Sequence, residues 1–420
     1  MVTASGGLTF GQVSLWRDIE HLSTDRWHEA NLVRSWQLRP AVSADALHAA
    51  VVLLAERHEG LRTRFNFRTE QQNVSLRVEP PLTDLTVLTE PARDAFAYRP
   101  FDLEHEIGWR IGFAVTPTST TVVAVVHHLI ADGYGLGILQ SDLTELARGG
   151  NVATGVGPLE LLAAETSTVG DRRAKAAIVH WESALDRLGN RGSLPQPSKV
   201  PLCHVELMTG LSRASLTARL PEHVSLMALI LAAFVEEVSG EPASASGDEL
   251  FVRMMISNRT SPERRRAITT MNEWVAAIVP SGRGAAGTET APAIAMAVRV
   301  GLRHGIYSVD RLAEVLRERG LTTTDMDNTL SYNYVDVEHE RFESPSRPSG
   351  VITVDDVGIT IGPRAYLRAL LGADLLLSLR VPNTSPSRAW AERVLTGMRS
   401  RLGAVDAAAD VDLCQRSDGH

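Results

Sequence analysis

The sequence predicts an α+β protein of two lobes joined near residue 195, and three observations carry that expectation. A chain of 420 residues is long for a single core and comfortable for two domains of about 200 residues each. Strand-like and helix-like patterns are mixed in both halves. Between the halves lies Arg191-Gly192-Ser193-Leu194-Pro195-Gln196-Pro197-Ser198, a stretch of linker composition. The expected division is an N-terminal lobe over 1–190, a linker over 191–200 and a C-terminal lobe over 201–420.

The elements follow in order. Ser43 can cap a helix that places Leu47, Val51 and Leu54 on one face, with Gly60 positioned to end it. Residues 121–126 are β-branched or alanine and predict a buried strand. After Gly135, Leu136, Leu139 and Leu143 return at helical spacing until Gly149-Gly150. A further helix is expected over 172–188, with Ala177, Trp181 and Leu185 on one face. Strands are expected at 250–256 and 375–379, and loops at 239–247 and 281–290.

Composition removes several classes of function. Hydrophobic residues make up 44% and charged residues 22% of the chain, the proportions of a globular protein. A formal net charge of −8 with no long basic stripe argues against nucleic acid as a partner. The longest apolar stretch, 226–235, is about half of a bilayer span and predicts a buried core helix rather than a membrane segment. Cys203 and Cys414 have no metal or redox spacing, and no secretory signal opens the sequence, so a reducing, cytoplasmic setting is expected.

Chemistry concentrates in His127-His128-Leu129-Ile130-Ala131-Asp132-Gly133, where the predicted strand gives way to a loop and a helix. Neighbouring side chains on a strand point to opposite faces, so only one of the two histidines can face a given cavity. Gly133 permits a sharp turn. The helix that follows would aim unpaired N–H groups and a positive dipole end at the same space. A base of near-neutral pKa beside donors for a developing oxyanion suits acyl transfer. Asp-Gly alone is a common turn, and a lone histidine at a strand end is commonly structural. The combination is far more specific than its parts.

That segment resembles the His-His-x-x-x-Asp-Gly motif of the condensation domains of nonribosomal peptide synthetases, in the superfamily of chloramphenicol acetyltransferase. The likeness extends along most of the chain. Leu8-Thr9-Phe10-Gly11-Gln12-Val13-Ser14-Leu15-Trp16 is similar to the family's opening motif, and Arg57-His58-Glu59-Gly60-Leu61-Arg62-Thr63-Arg64-Phe65 to its second. Arg99-Pro100-Phe101-Asp102-Leu103, Ser257-Asn258-Arg259-Thr260 and Gly301-Leu302-Arg303-His304-Gly305 match further landmarks in order. Tyr134-Gly135-Leu136-Gly137-Ile138-Leu139 is similar to the continuation in peptide-bond-forming members rather than in epimerising or heterocyclising ones. Two departures stand out: Ser14 where the family favours arginine, and residues 273–280, where only Pro280 and the apolar character agree.

The resemblance implies two chloramphenicol-acetyltransferase-like lobes, each a mixed sheet with flanking helices, arranged as a pseudo-dimer around an interlobe tunnel. It implies a catalytic base at His128, an oxyanion contact from the Gly133 N–H, and a structural role for His127. It also implies a buried ion pair between Asp132 and an arginine, for which Arg57 and Arg62 are the candidates. Trp16, Trp181, Trp274 and Phe101 are expected as packing anchors, and Arg264-Arg265-Arg266 as a solvated face open to an acidic carrier protein.

No carrier-type serine motif and no nucleotide-binding signature accompany these motifs. The expectation is therefore a free-standing condensation enzyme with no metal or bound cofactor. It would take an acyl or aminoacyl group from the phosphopantetheine thioester of an acyl or peptidyl carrier protein in trans. The acceptor would be an amine or alcohol, either a small molecule or carrier-bound. An acyl-CoA-dependent acyltransferase and a non-catalytic recruitment domain are the alternatives.

Overall fold

A computed structural model describes residues 2–79, 81–87, 95–188, 200–239, 248–282, 290–336, 348–357 and 362–415. The chain divides into two units: 1–175 with 257–273 and 306–309, and 176–256 with 274–305 and 310–420. The expected linker at 191–200 lies, but for its last residue, outside the described residues. The expected loop at 239–247 opens with Ser239, which closes a helix, and 240–247 lie outside them, as do 283–289 of the expected loop at 281–290.

In the first unit, strands β1 (Val2–Gly7), β2 (Asn31–Leu38), β3 (Thr63–Asn66), β4 (Gln71–Ser75), β5 (Leu82–Asp84), β6 (Trp109–Val115) and β7 (Thr120–His127) form two sheets. Their orders are β1-β4-β3 and β2-β7-β6-β5. The unit's helices are α1 (Phe10–Ile19), α2 (Ala44–Arg57), α3 (Gly133–Ala147) and α4 (Pro158–Glu165). Helix α5 (Thr168–Leu188) begins here and carries the chain into the second unit. Ser43 accepts from the Ala46 N–H as predicted, and α2 buries Leu47, Val51 and Leu54. Helices α2 and α3 pack on each other. Helix α3 follows β7 after a five-residue loop, so the histidine segment spans a strand–loop–helix junction.

In the second unit, strands β8 (Leu202–Ser212), β9 (Glu249–Ile256), β10 (Glu273–Pro280), β11 (Leu330–Asp336), β12 (Ile352–Asp356), β13 (Ala365–Leu371) and β14 (Asp374–Pro382) form one mixed sheet. Its order is β10-β9-β11-β13-β14-β8-β12. Helices α6 (Leu226–Ser239), α7 (Ala291–Leu302), α8 (Val309–Glu318) and α9 (Ser385–Gln415) accompany it. Helix α6, the apolar stretch of the sequence, is buried along most of its length. It packs with α7, α9 and the sheet around Val205, Met254, Leu367, Leu377 and Leu379. Those residues occupy one face of the sheet, because side chains alternate along each strand. The opposite face is mixed, with Arg253, Ser331, Tyr366, Arg368 and Arg380 among apolar residues such as Val335, Leu370 and Leu376. No helix among the described residues is long and apolar enough to cross a membrane.

Candidate active site

Strand β7 fixes the junction. It pairs with β2 from Thr120 against Leu38 to His127 against Asn31, and with β6 on its other side. This central strand is mostly apolar, with Val122, Ala124, Val125 and Val126 at zero exposure. The strand stops at His127, whose carbonyl accepts from the N–H groups of Ile130 and Ala131 and so starts the turn.

The two histidines sit in different surroundings. His127 is fully buried, edge-on to Phe101, and its Nδ1 accepts from the Leu129 N–H at 3.2 Å. Burial, assisted by neighbouring His128, pushes its pKa down to about 3, so it is a neutral acceptor that shapes the loop. His128 is half-buried, and its backbone N–H donates to the Ala30 carbonyl. Its Nδ1 lies 3.4 Å from the Thr270 hydroxyl oxygen. Burial lowers the His128 pKa below the ordinary imidazole value, while the Asp132 charge pulls partly the other way. The imidazole is therefore neutral near pH 7, and with Nδ1 turned to Thr270 its Nε2 is the nitrogen left to take a proton.

Asp132 is the N-cap of α3. Its Oδ1 accepts from the Gly135 N–H at 2.7 Å and its Oδ2 from the Met271 N–H at 3.1 Å. The Arg259 Nη2 donates to the same Oδ1 at 2.7 Å, and both side chains are buried to within a percent. Arg259 also donates to the carbonyls of Arg264, Ala267 and Thr269 and lies over the Tyr134 ring. The ion pair that the resemblance implies is thus made by Arg259, not by Arg57 or Arg62. Arg57 closes α2 on the exposed side and donates to Asn151. Arg62 donates to the Ala55 carbonyl at 2.9 Å and to those of Ser75 and Leu76 at the end of β4. Neither reaches the Asp132 pocket, because the segment 257–271 fills it.

That segment is held by close backbone approach. A Cβ on Gly60 would meet the Ile268 carbonyl oxygen at 2.0 Å, and one on Gly11 the Thr270 carbonyl oxygen at 2.7 Å. Asn258 takes a left-handed φ of 54° and donates to the Met271 carbonyl. So glycines of the first two sequence motifs leave room for the strip that carries Arg259 and Thr270.

Gly133 is the first residue of α3. Its N–H and that of Tyr134 have no acceptor within the helix, whereas Asp132 occupies the third. These two donors and the helix dipole suit a nascent negative charge.

Other sequence expectations fall differently. His58, unremarked within the second motif, is buried and lies 2.9 Å from Asp142 of α3, which Arg266 also contacts at 3.0 Å. The triplet 264–266 is therefore partly committed: Arg265 donates to the Arg259 carbonyl and Arg266 to the Ala153 carbonyl. Trp16 packs as expected, stacked on Phe67 at 4.0 Å. Trp181 is buried beside Phe251, and Trp274 meets Arg253 and Tyr366. Among the described residues no group of three or more His, Cys, Asp or Glu could hold a metal.

The chain is similar to known proteins over this same ground. The family model described as "Condensation domain" matches residues 21–344. Cyclosporin synthetase simA of Tolypocladium inflatum is 36% identical over 121 residues, 26% of this chain and 1% of that protein. Nonribosomal peptide synthetase kk1B of Curvularia clavata is 29% identical over 229 residues, 50% of this chain and 2% of that protein. The matched stretch is thus a small fraction of these relatives. Among solved structures, the condensation domain of the monacolin K polyketide synthase MokA superposes with a TM-score of 0.71 at 15% identity, covering 96% of this chain and 97% of that one. A structure for condensation domain-mediated chain release from the enacyloxin polyketide synthase gives 0.70 at 17% identity, covering 96% and 83%. These likenesses establish the α+β fold of condensation domains.

Proposed function

Since this chain belongs to the condensation-domain family, whose members are amide- or ester-forming acyltransferases, we propose that it transfers an acyl or aminoacyl group from a carrier-protein thioester, supplied in trans, to an amine or alcohol. The observation that carries this reading is the pairing of a neutral, half-buried His128 with unpaired N–H groups at the start of α3.

In the proposed reaction the acceptor nitrogen or oxygen attacks the thioester carbonyl. The new C–N or C–O bond forms, and the carbonyl oxygen takes negative charge opposite the Gly133 N–H. His128 Nε2 receives the acceptor's proton. Collapse of the intermediate breaks the C–S bond, and the same proton goes to the departing thiolate as a pantetheine thiol. With an α-amine, whose pKa is roughly 8, neutral nucleophile is already present near pH 7, and alignment contributes alongside the base. With an alcohol the base is indispensable, because the hydroxyl proton is far less acidic. Asp132 and Arg259 hold α3 and the strip 257–271 and take no proton.

The experiment loads one acyl chain on a carrier protein and on coenzyme A, supplies an amine or alcohol acceptor, and follows donor discharge by intact-mass measurement. Faster discharge of the carrier-bound donor supports this reading. Preference for acyl-CoA would replace it with a CoA-dependent acyltransferase. No discharge of either donor, with tight carrier binding, would replace it with a recruitment module.

A further inference from the structure

The second unit's sheet carries, on the face away from its core, a polar cluster that the proposed chemistry does not use. Residues of alternate parity to the core place Arg253, Ser331, Tyr366, Arg380 and His204 across adjacent strands. The register pairs Arg253 with Ser331, Ser331 with Tyr366, Tyr366 with Arg380, and Arg380 with His204. One step along, Arg368 stands between Asn333 and Ser378. Arg368 and Arg380 therefore project from the same face of neighbouring strands, on a diagonal within reach of long side chains.

Both side chains are half-buried, yet their charge is not spent. Arg368 makes no hydrogen bond or ion pair among the described residues. Among the described residues Arg380 donates through Nε alone, to the Pro363 carbonyl at 3.0 Å, and its guanidinium lies 5.0 Å from the centre of the Tyr366 ring. The Asp327 carboxylate nearby is engaged by Arg253 at 3.2 Å. Glu206 lies 3.9 Å from His204, and Asp355 faces His204 from β12. In a chain of net charge −8, two like charges thus stand on neighbouring strands, and among the described residues neither is ion-paired to a carboxylate. The repulsion is felt locally. Burial first, then Arg380 and Arg368, push the His204 pKa down to about 4; burial, with Arg368 and Arg253, lowers that of Arg380 against the opposing pull of Tyr366 and Asp327. Half-burying two guanidiniums costs free energy that a folded protein recovers by pairing them.

We propose that Arg368 and Arg380, with the Tyr366 hydroxyl and the Asn333 amide beside them, form a binding subsite for the oxyanion of a small molecule. Asn333 already donates to the Tyr366 oxygen at 3.0 Å, which leaves the tyrosine O–H free to point at the anion. Guanidinium forks match two oxygens of one group, so a carboxylate or a phosphate fits. On the transfer reading, these correspond to a carboxylate on a free acceptor or to a phosphate of the pantetheine donor. The subsite itself rests on the sheet face alone.

The test titrates the whole protein with succinate, inorganic phosphate and dimethyl succinate by calorimetry, and repeats it on Arg368→Gln, Arg380→Gln, Arg368→Lys and the exposed control Arg299→Gln. The expected result is saturable binding of succinate or phosphate, no binding of the neutral ester, and at least tenfold weakening in both glutamine variants. Arg368→Lys should retain part of the affinity and Arg299→Gln all of it. Stronger succinate binding identifies a carboxylate ligand, and stronger phosphate binding the pantetheine arm. No saturable binding of either anion to the wild type, or equal binding by the glutamine variants, overturns the proposal. His128→Ala should bind the anion unchanged. Loss of the transfer reading with retained anion binding would leave this subsite standing.

Discussion

Two arginine sites, one in each unit, treat the same charge in opposite ways. Arg259 in the first unit is sealed: one carboxylate and three carbonyls take up its two Nη groups, the Tyr134 ring covers it, and its Nε, though without a partner, is buried. Arg368 and Arg380 in the second unit stand on neighbouring strands, and among the described residues neither forms an ion pair with a carboxylate. A saturated ion pair builds architecture, since losing either partner strands a buried charge. An unsaturated pair stores binding capacity, since the folded protein has already met the cost of placing it. The contrast separates residues that shape the histidine junction from residues available to bind.

The largest expected effect lies at the sealed site. Arg259→Ala or Asp132→Ala should lower stability by about 3–5 kcal/mol, read as a shift in the urea midpoint at unchanged slope. A loss below about 1 kcal/mol would mean that the pair behaves as a surface contact and would break the comparison.

A smaller effect comes from acid. His127 has a folded pKa near 3 against an ordinary value of 6.5. The unfolded chain therefore binds the proton first, and the contribution of neutral His127 is complete above pH 6.5 and declines as pH falls toward 3. Stability should drop by up to about 1.4 kcal/mol per pH unit in that window. His127→Gln should flatten this slope. An unchanged slope would remove His127 as its source.

The smallest effect sharpens the open side. Arg368→Gln should change stability by no more than about 0.5 kcal/mol, or raise it, because the substitution removes repulsion with Arg380 and breaks no ion pair among the described residues. A destabilisation approaching that of Arg259→Ala would show that Arg368 is sealed after all.

These sites were unequally legible in the sequence. His127, His128, Asp132 and Gly133 lie within one strand–loop–helix junction, and the period of two on β7 with the cap at Asp132 makes their placement a local matter. Ser43 and the buried helix expected at 226–235, which runs on to Ser239, were legible for the same reason. The partner of Asp132 was not. Arg259 stands 127 positions away, and Arg57 and Arg62 were nearer and equally basic. One signal pointed to it: Arg259 sits in a motif the sequence already displayed, on a strip that Gly11 and Gly60 make room for. Thr270 and the His58–Asp142 contact carried no comparable signal, since each depends on long-range packing. The arginine pair of the second unit was invisible, because it exists only once β13 and β14 adopt their register.

The most direct measurement is the single-turnover rate at pH 7 of a folded His128→Ala protein with a carrier-bound acyl donor and an alcohol acceptor. Removal of the base should slow product formation by about 10²–10⁴-fold while the thermal midpoint stays near that of the wild type. A rate within twofold of wild type would contradict the assignment of His128.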